Sequence, residues 1–317
     1  MKTSDFAKKY DFAVGGGRYL FSKLSTLAAV AVSGGLQGED QVTLSRPLLG
    51  VVGFMGRMGD TAHLMEHLTE DGQNGGSTYY LKDQRVYRDD TFQEPMPSNW
   101  TDPQARVFQL VPRDRSQSPE VTAEQIGPAL QQIAAITGQP KADVAAHSLG
   151  GLGARIYCSG GGQGIGRLMM VGTPNLGLRA ATLAEWAVSE QFSWAMKLGN
   201  LGPQALPALQ WLRSVSDGNS KLEDLNTRWV DRKQSLEDVK VIGSGGRLTA
   251  SSSEESGWGD GDGLVNSASL ALPETPLTVL PGTWSQGHIS LMNDRQVFRE
   301  MSDFFKWTPG DRQAESL

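Results

Sequence analysis

Cysteine is almost missing from this chain. The single Cys158 in 317 residues excludes an internal disulfide framework, and its place in an apolar helical pattern reads as a small core residue. Histidine is nearly as scarce, with four, so few side chains can exchange a proton near neutral pH. Long apolar runs are missing too. Leu24 to Val32, preceded by Lys8, Lys9, Arg18 and Lys23, is interrupted by Ser25 and Thr26. It falls well short of the ~18 residues of a membrane span and reads as a buried strand or helix. With no clear leader, a cytoplasmic location is favoured and export stays open. Blocks of one charge sign are absent: 29 basic and 35 acidic residues, net −6, are dispersed. That excludes the basic stripe a nucleic-acid binder needs. No internal repeat and no low-complexity tract occur.

What is present is glycine, 38 of them, marking tight loops in a chain long enough for one large domain or two small ones. Residues 1–46, punctuated by Gly15-Gly16-Gly17 and Gly34-Gly35, read as an N-terminal arm or edge element. Leu48 to Val52, apolar throughout and ending in glycines, predicts a strand buried on both faces. Asp60 is placed to cap a helix bearing Leu64, Met65 and Leu68. Residues 72–104 read as an insertion holding a hairpin around Tyr79 to Tyr87. Arg106 to Val111 predicts a strand, and Thr122-x-x-Gln125 a capping box before a helix that contains Pro128 and stops at Gly138. Ala142–Ala146, Arg167–Val171, Val239–Ile242 and Pro276–Leu280 predict further strands. Strands alternating with helices imply a mostly parallel sheet with helices on both faces. Between residues 176 and 230 a helical, tryptophan-rich pattern replaces the strands and predicts a cap. Trp186, Trp194 and Trp211, with Met55, are expected to wall an apolar pocket.

The chain is organised around Ala146-His147-Ser148-Leu149-Gly150-Gly151. A serine on a sharp strand-to-helix turn has its hydroxyl raised above the sheet, beside the N–H groups of the helix start. The turn demands small residues two before and two after the serine, here Ala146 and Gly150. Such a serine needs a base, and the base an acid. His63 and His67 precede Ser148, and His147 is expected to be aimed away by the turn. His288, in Gly287-His288-Ile289 after the last strand, is left as the base. The acid is expected at Asp262, before Gly263-Leu264-Val265, with Asp260 as the alternative. This pair is no EF-hand, since Leu264 and Ala271 occupy ligand positions. The N–H groups of Phe54 and Leu149 are the expected oxyanion donors.

On these residues the chain resembles the α/β-hydrolase superfamily, in its bacterial lipase and esterase branch. Thr137-Gly138-Gln139-Pro140-Lys141 through Leu152 is similar to the elbow of triacylglycerol lipases. Val171-Gly172-Thr173-Pro174-Asn175-Leu176-Gly177 is similar to their G-T-P-H-x-G. Asp262-Gly263-Leu264-Val265 and Gly287-His288 match the acid and base motifs, and Leu222-x-x-Leu225-Asn226 the close of the cap. Three positions depart from the pattern: Val52-Gly53 for His-Gly, Asn175 for histidine, and Ala146 for glycine. The resemblance implies an α/β-hydrolase domain over 47–317 with a helical cap at about 176–230. It implies a serine hydrolase acting on a small-molecule or lipid ester with an apolar acyl group, without a cofactor or metal, and with no nucleic acid as partner. Transient contact with a membrane or lipid surface is compatible with that reading. The structural calcium of some relatives has no ligands that map onto this chain.

Two other classes compete. His63-Leu64-Met65-Glu66-His67 fits H-x-x-E-H, which would make a zinc-dependent hydrolase, although no third ligand is identifiable. A hydrolase fold without turnover, used for binding, is the other.

Overall fold

A computed structural model of the chain describes residues 36, 38–54, 60–114, 116–178, 205–232, 235–245, 260–283 and 286–310. In chain order its strands are β1 (Val42–Thr43), β2 (Leu48–Val51), β3 (Thr78–Lys82), β4 (Arg85–Tyr87), β5 (Val107–Leu110), β6 (Ala142–His147), β7 (Ile165–Val171), β8 (Asp238–Ser244), β9 (Leu277–Leu280) and β10 (Thr308–Pro309). Its helices are α1 (Ala62–Thr69), α2 (Pro119–Thr137), α3 (Leu149–Ser159), α4 (Leu206–Leu212), α5 (Ser220–Arg232) and α6 (Arg295–Phe305).

Eight strands form one sheet in the order β4-β3-β5-β2-β6-β7-β8-β9, while β1 and β10 make a separate two-stranded pair. Every neighbour pair in the large sheet is parallel except the β3–β4 hairpin. The central strands are apolar at successive positions because both sheet faces are covered. Leu49, Phe108, Val144, Met170 and Val241 face a core with Ile126, Leu130, Leu152, Leu222 and Trp229 from α2, α3 and α5. Their chain neighbours Leu48, Val107, Ala145, Met169 and Ile242 face the other core, with Leu64 and Leu68 of α1 and Phe298, Met301 and Phe305 of α6. Each fully buried Leu or Phe contributes about 1.5–3 kcal/mol. The alternating α/β architecture expected from the strand and helix patterns is therefore the one formed.

Several local expectations are corrected. Residues 72–104, expected as an insertion, hold the expected hairpin around Tyr79 to Tyr87, and that hairpin is part of the main sheet: β3 pairs parallel with β5, Tyr79 opposite Phe108, and β4 extends the edge. The hairpin turns through Asp83 and Gln84, both at positive φ (49° and 59°), as a two-residue hairpin loop prefers. Thr122 lies inside α2, which starts at Pro119 behind Ser118, so the helix uses a first-turn proline in place of the capping box. Pro128 does sit inside that helix. Thr61, not Asp60, holds the cap position of α1. Of the segment expected as a cap, α4 and α5 are described, and residues 179–204 lie outside the described residues, as do 1–35. No helix among the described residues is long and apolar enough to cross a membrane.

Candidate active site

The site lies at the carboxyl ends of β2, β6, β7 and β8, where an open parallel sheet gathers its loops. Val51 pairs with Ala146 and His147 with Val171, so the loops after these strands leave the sheet at one level. Ser148 links β6 directly to α3 with φ 53° and ψ −129°. That conformation is sparsely populated for any side chain and costs about 1–3 kcal/mol. Burial of Leu149 (3 %) and Leu152 (0 %), worth about 1.5–3 kcal/mol each, outweighs the strain.

Crowding at this turn decides which neighbours are glycine. A Cβ on Gly53 would stand 2.6 Å from Cβ of Ser148 and 2.8 Å from the Leu149 nitrogen. One on Gly150 would stand 2.7 Å from the Val52 carbonyl oxygen. The loop after β2 thus packs backbone-to-backbone on the turn. Leu149 is the first residue of α3, where an N–H has no acceptor within the helix. Phe54, half-buried, follows Gly53 in the same loop and packs on the main core.

The side chains of Ser148, His288 and Asp262 meet although 114 to 140 positions of chain separate Ser148 from the other two. Ser148 Oγ lies 2.8 Å from Nε2 of His288, and Nδ1 of His288 lies 2.7 Å from Oδ2 of Asp262. A carboxylate accepts only, so Nδ1 carries the proton, and Nε2 is left as the acceptor of the serine O–H. Oδ1 of Asp262 accepts from the N–H groups of Leu264 (3.0 Å) and Val265 (2.7 Å). All three side chains are buried. Asp260 is exposed, and its carbonyl accepts from the Ser267 N–H. Gly172 passes beneath the pair at φ 59°, where a Cβ would lie 3.2 Å from Oδ2 of Asp262.

His288 is carried on a loop braced by buried amides. Gln286 Oε1 accepts from the N–H groups of Gly282 and Thr283, and its Nε2 donates to Gln296 Oε1. Asn293 accepts from the Leu64 N–H and donates to the Asp60 carbonyl, tying this loop to the start of α1. Neither amide belongs to a pattern in the sequence that would single it out.

His147 is not aimed away, as the turn suggested. Its Nε2 lies 2.8 Å from the carbonyl oxygen of His288, with the two rings 4.8 Å apart. Burial, and then the neighbouring His288, lower its pKa to about 3. Asn175, where the resembled lipases have histidine, accepts from Arg155 at 3.0 Å, and Asn226 accepts from the same guanidinium at 2.6 Å. Arg155 is fully buried, which lowers its pKa to about 9 and leaves it charged at neutral pH. Two amide oxygens and the Trp229 ring, 5.3 Å away, offset that burial. Cys158 is buried and its thiol is pushed up to about 12.

Of the four side chains expected to wall a pocket, Met55, Trp186 and Trp194 lie outside the described residues. Trp211 is buried in the larger core, its ring 5.6 Å from the Lys221 ammonium. His63 and His67 face Glu66 and Glu70 of their own chain segment at 3.7 Å, and His67 meets the Phe298 ring edge-on. Among the described residues no three His, Cys, Asp or Glu side chains converge as a metal site.

Solved structures resemble this architecture. The mature lipase BlEst2 of Bacillus licheniformis is 12 % identical, with a TM-score of 0.53 over 84 % of this chain and 94 % of that one. The propeptide form of the same lipase is 14 % identical, with a TM-score of 0.54 over 89 % of this chain and 55 % of that one. The phospholipase PlaB of Legionella pneumophila, in complex with thio-NAD, is 13 % identical, with a TM-score of 0.50 over 83 % and 62 %. No protein-family model matches the sequence, and no curated protein matches it. The chain has the α/β-hydrolase fold, a mostly parallel central sheet flanked by helices.

Proposed function

We propose that the protein is a serine hydrolase that cleaves carboxylic esters through an acyl-enzyme. Ser148 Oγ attacks the ester carbonyl carbon as Nε2 of His288 takes its proton. The oxyanion is received by the N–H groups of Phe54 and Leu149, each donor of this kind being worth about two to three powers of ten in rate. The C–O bond to the alcohol then breaks, and His288 returns the proton to the leaving oxygen. Water, deprotonated by His288, hydrolyses the acyl-serine and restores the hydroxyl. Asp262 holds the tautomer and orientation of His288 and stabilises its imidazolium.

The observation that carries this reading is the unbroken chain of hydrogen bonds from Ser148 Oγ through His288 to Asp262, at 2.8 and 2.7 Å. The resembled structures are named lipases and a phospholipase, which agrees with it. An apolar substrate group is supported by Ile289, an apolar residue 66 % exposed directly after His288. The test is a p-nitrophenyl ester series from acetate to palmitate, with wild type beside Ser148→Ala. Turnover that disappears in the variant supports the reading, and its dependence on acyl length reports the depth of the site. Folded wild type without turnover at any length overturns it in favour of a binding role.

A further inference from the structure

His147 is a buried ionisable group that the proposed reaction leaves unused. It ends β6, is 3 % exposed, and directly precedes Ser148. A carbonyl oxygen only accepts, so the 2.8 Å contact means that His147 Nε2–H donates to the His288 carbonyl. On the other side of the same residue, the His288 backbone N–H donates to the Asp262 carbonyl at 2.9 Å. The two peptide groups flanking His288 are thus tied to different segments, one to Asp262 and one to the neighbour of Ser148.

We propose that His147 is a positioning residue that locks the backbone of His288 to the nucleophile turn and so sets the Ser148–His288 hydrogen bond. The inference rests on the proposed triad. His147 is bonded covalently to Ser148, so whatever moves the nucleophile moves the donor that holds the base. The loop bearing His288 has no strand pairing at this point. Gln286 and Asn293 brace it on either side, and without the His147 donor the His288 residue itself is tied through its backbone to Asp262. A displacement of about 1 Å at such a pair costs on the order of 100-fold in rate. His147 also stays neutral in its buried place, so it adds no repulsion when the adjacent ring becomes an imidazolium.

The test compares His147→Leu, which removes the donor, with His147→Gln, whose amide N–H reaches a similar point. Both are assayed as full-length protein on an ester that wild type turns over, and by the rate of labelling with a serine-directed phosphonate. The expected result for His147→Leu is a loss of ~10–100-fold in kcat and in labelling rate, with KM within about twofold. His147→Gln should recover most of both. Should the leucine variant not fold, His147→Asn, whose amide is one methylene too short, should show the same loss against glutamine. Wild-type kcat in the leucine or asparagine variant, or equal losses in glutamine and the donor-free variant, overturns the proposal. If Ser148→Ala is inactive while the His147 variants are normal, the triad stands and this inference falls. Wild type without turnover or labelling sinks both.

Discussion

Asp262 holds His288 twice. Its carboxylate lies 2.7 Å from Nδ1 of the ring, and its carbonyl accepts from the His288 backbone N–H at 2.9 Å. The carboxylate is itself steered by the N–H groups of Leu264 and Val265. In Asp262→Asn an amide facing Nδ1 favours the tautomer with its proton on Nε2, which points a donor at Ser148. The expected loss in kcat is about three to four powers of ten, while Asp260→Asn should remain within about twofold of wild type. Reversed kinetics for the two variants would move the acid to Asp260.

Strain at the turn holding Ser148 has a signature separate from activity. Ser148 sits at φ 53° and ψ −129°, a region that alanine tolerates no better and glycine enters freely. Ser148→Ala and Ser148→Gly should both be inactive. Thermal or urea unfolding should nevertheless find the glycine variant more stable than the alanine variant by about 1 kcal/mol. Equal stabilities would show that the turn is unstrained.

Two glycines should prove irreplaceable for steric reasons. Gly53→Ala drives a methyl group against the Leu149 nitrogen and the His147 carbonyl, both backbone atoms, so the loop bearing Phe54 must retreat. On the proposed role of the Phe54 N–H as an oxyanion donor, kcat should fall about 100-fold or more. Gly172→Ala adds a methyl group 3.2 Å from Asp262 Oδ2 and 3.4 Å from His288 Cε1, on backbone at positive φ. Its expected cost is about 1 kcal/mol or more of stability, together with reduced kcat, read from unfolding and steady-state kinetics on the same sample.

His147 should also make the fold acid-sensitive. Burial lowers its pKa from 6.5 to about 3. Between these values the unfolded chain binds a proton that the folded chain refuses, so stability falls as pH drops through the window and is fully present above 6.5. The slope is at most about 1.4 kcal/mol per pH unit. His147→Gln removes this proton, and between pH 7 and pH 5 it should lose about 2 kcal/mol less than wild type. Urea denaturation at the two pH values measures the difference, and parallel losses would mean that His147 is protonated in the folded protein.

Much of the sheet was legible because burial on both faces writes itself into consecutive residues. Leu48 with Leu49 and Met169 with Met170 each divide between the two cores, and such pairs read as central strands without any knowledge of their partners. Ser148 was legible for a related reason: a strand, a turn and a helix that are contiguous in the chain carry their geometry in local residue sizes, Ala146 and Gly150 included. Scarcity and chain order singled out His288, the histidine whose Nε2 lies 2.8 Å from Ser148 Oγ.

Local sequence determined the elements of this protein and the residue at its sharpest turn. Tertiary structure alone decided how distant segments meet. The place of β3 and β4 in the main sheet depends on pairing with β5, some 25 residues away, and polar loops between give no sign of it. The direction of the His147 ring, the room left by Gly172 beneath Asp262, and the Arg155 link between Asn175 and Asn226 are contacts between segments distant along the chain. Hydrogen bonds and steric fit at such contacts depend on position to a few tenths of an ångström, and that precision is created when the two cores pack, not by any pattern along the chain.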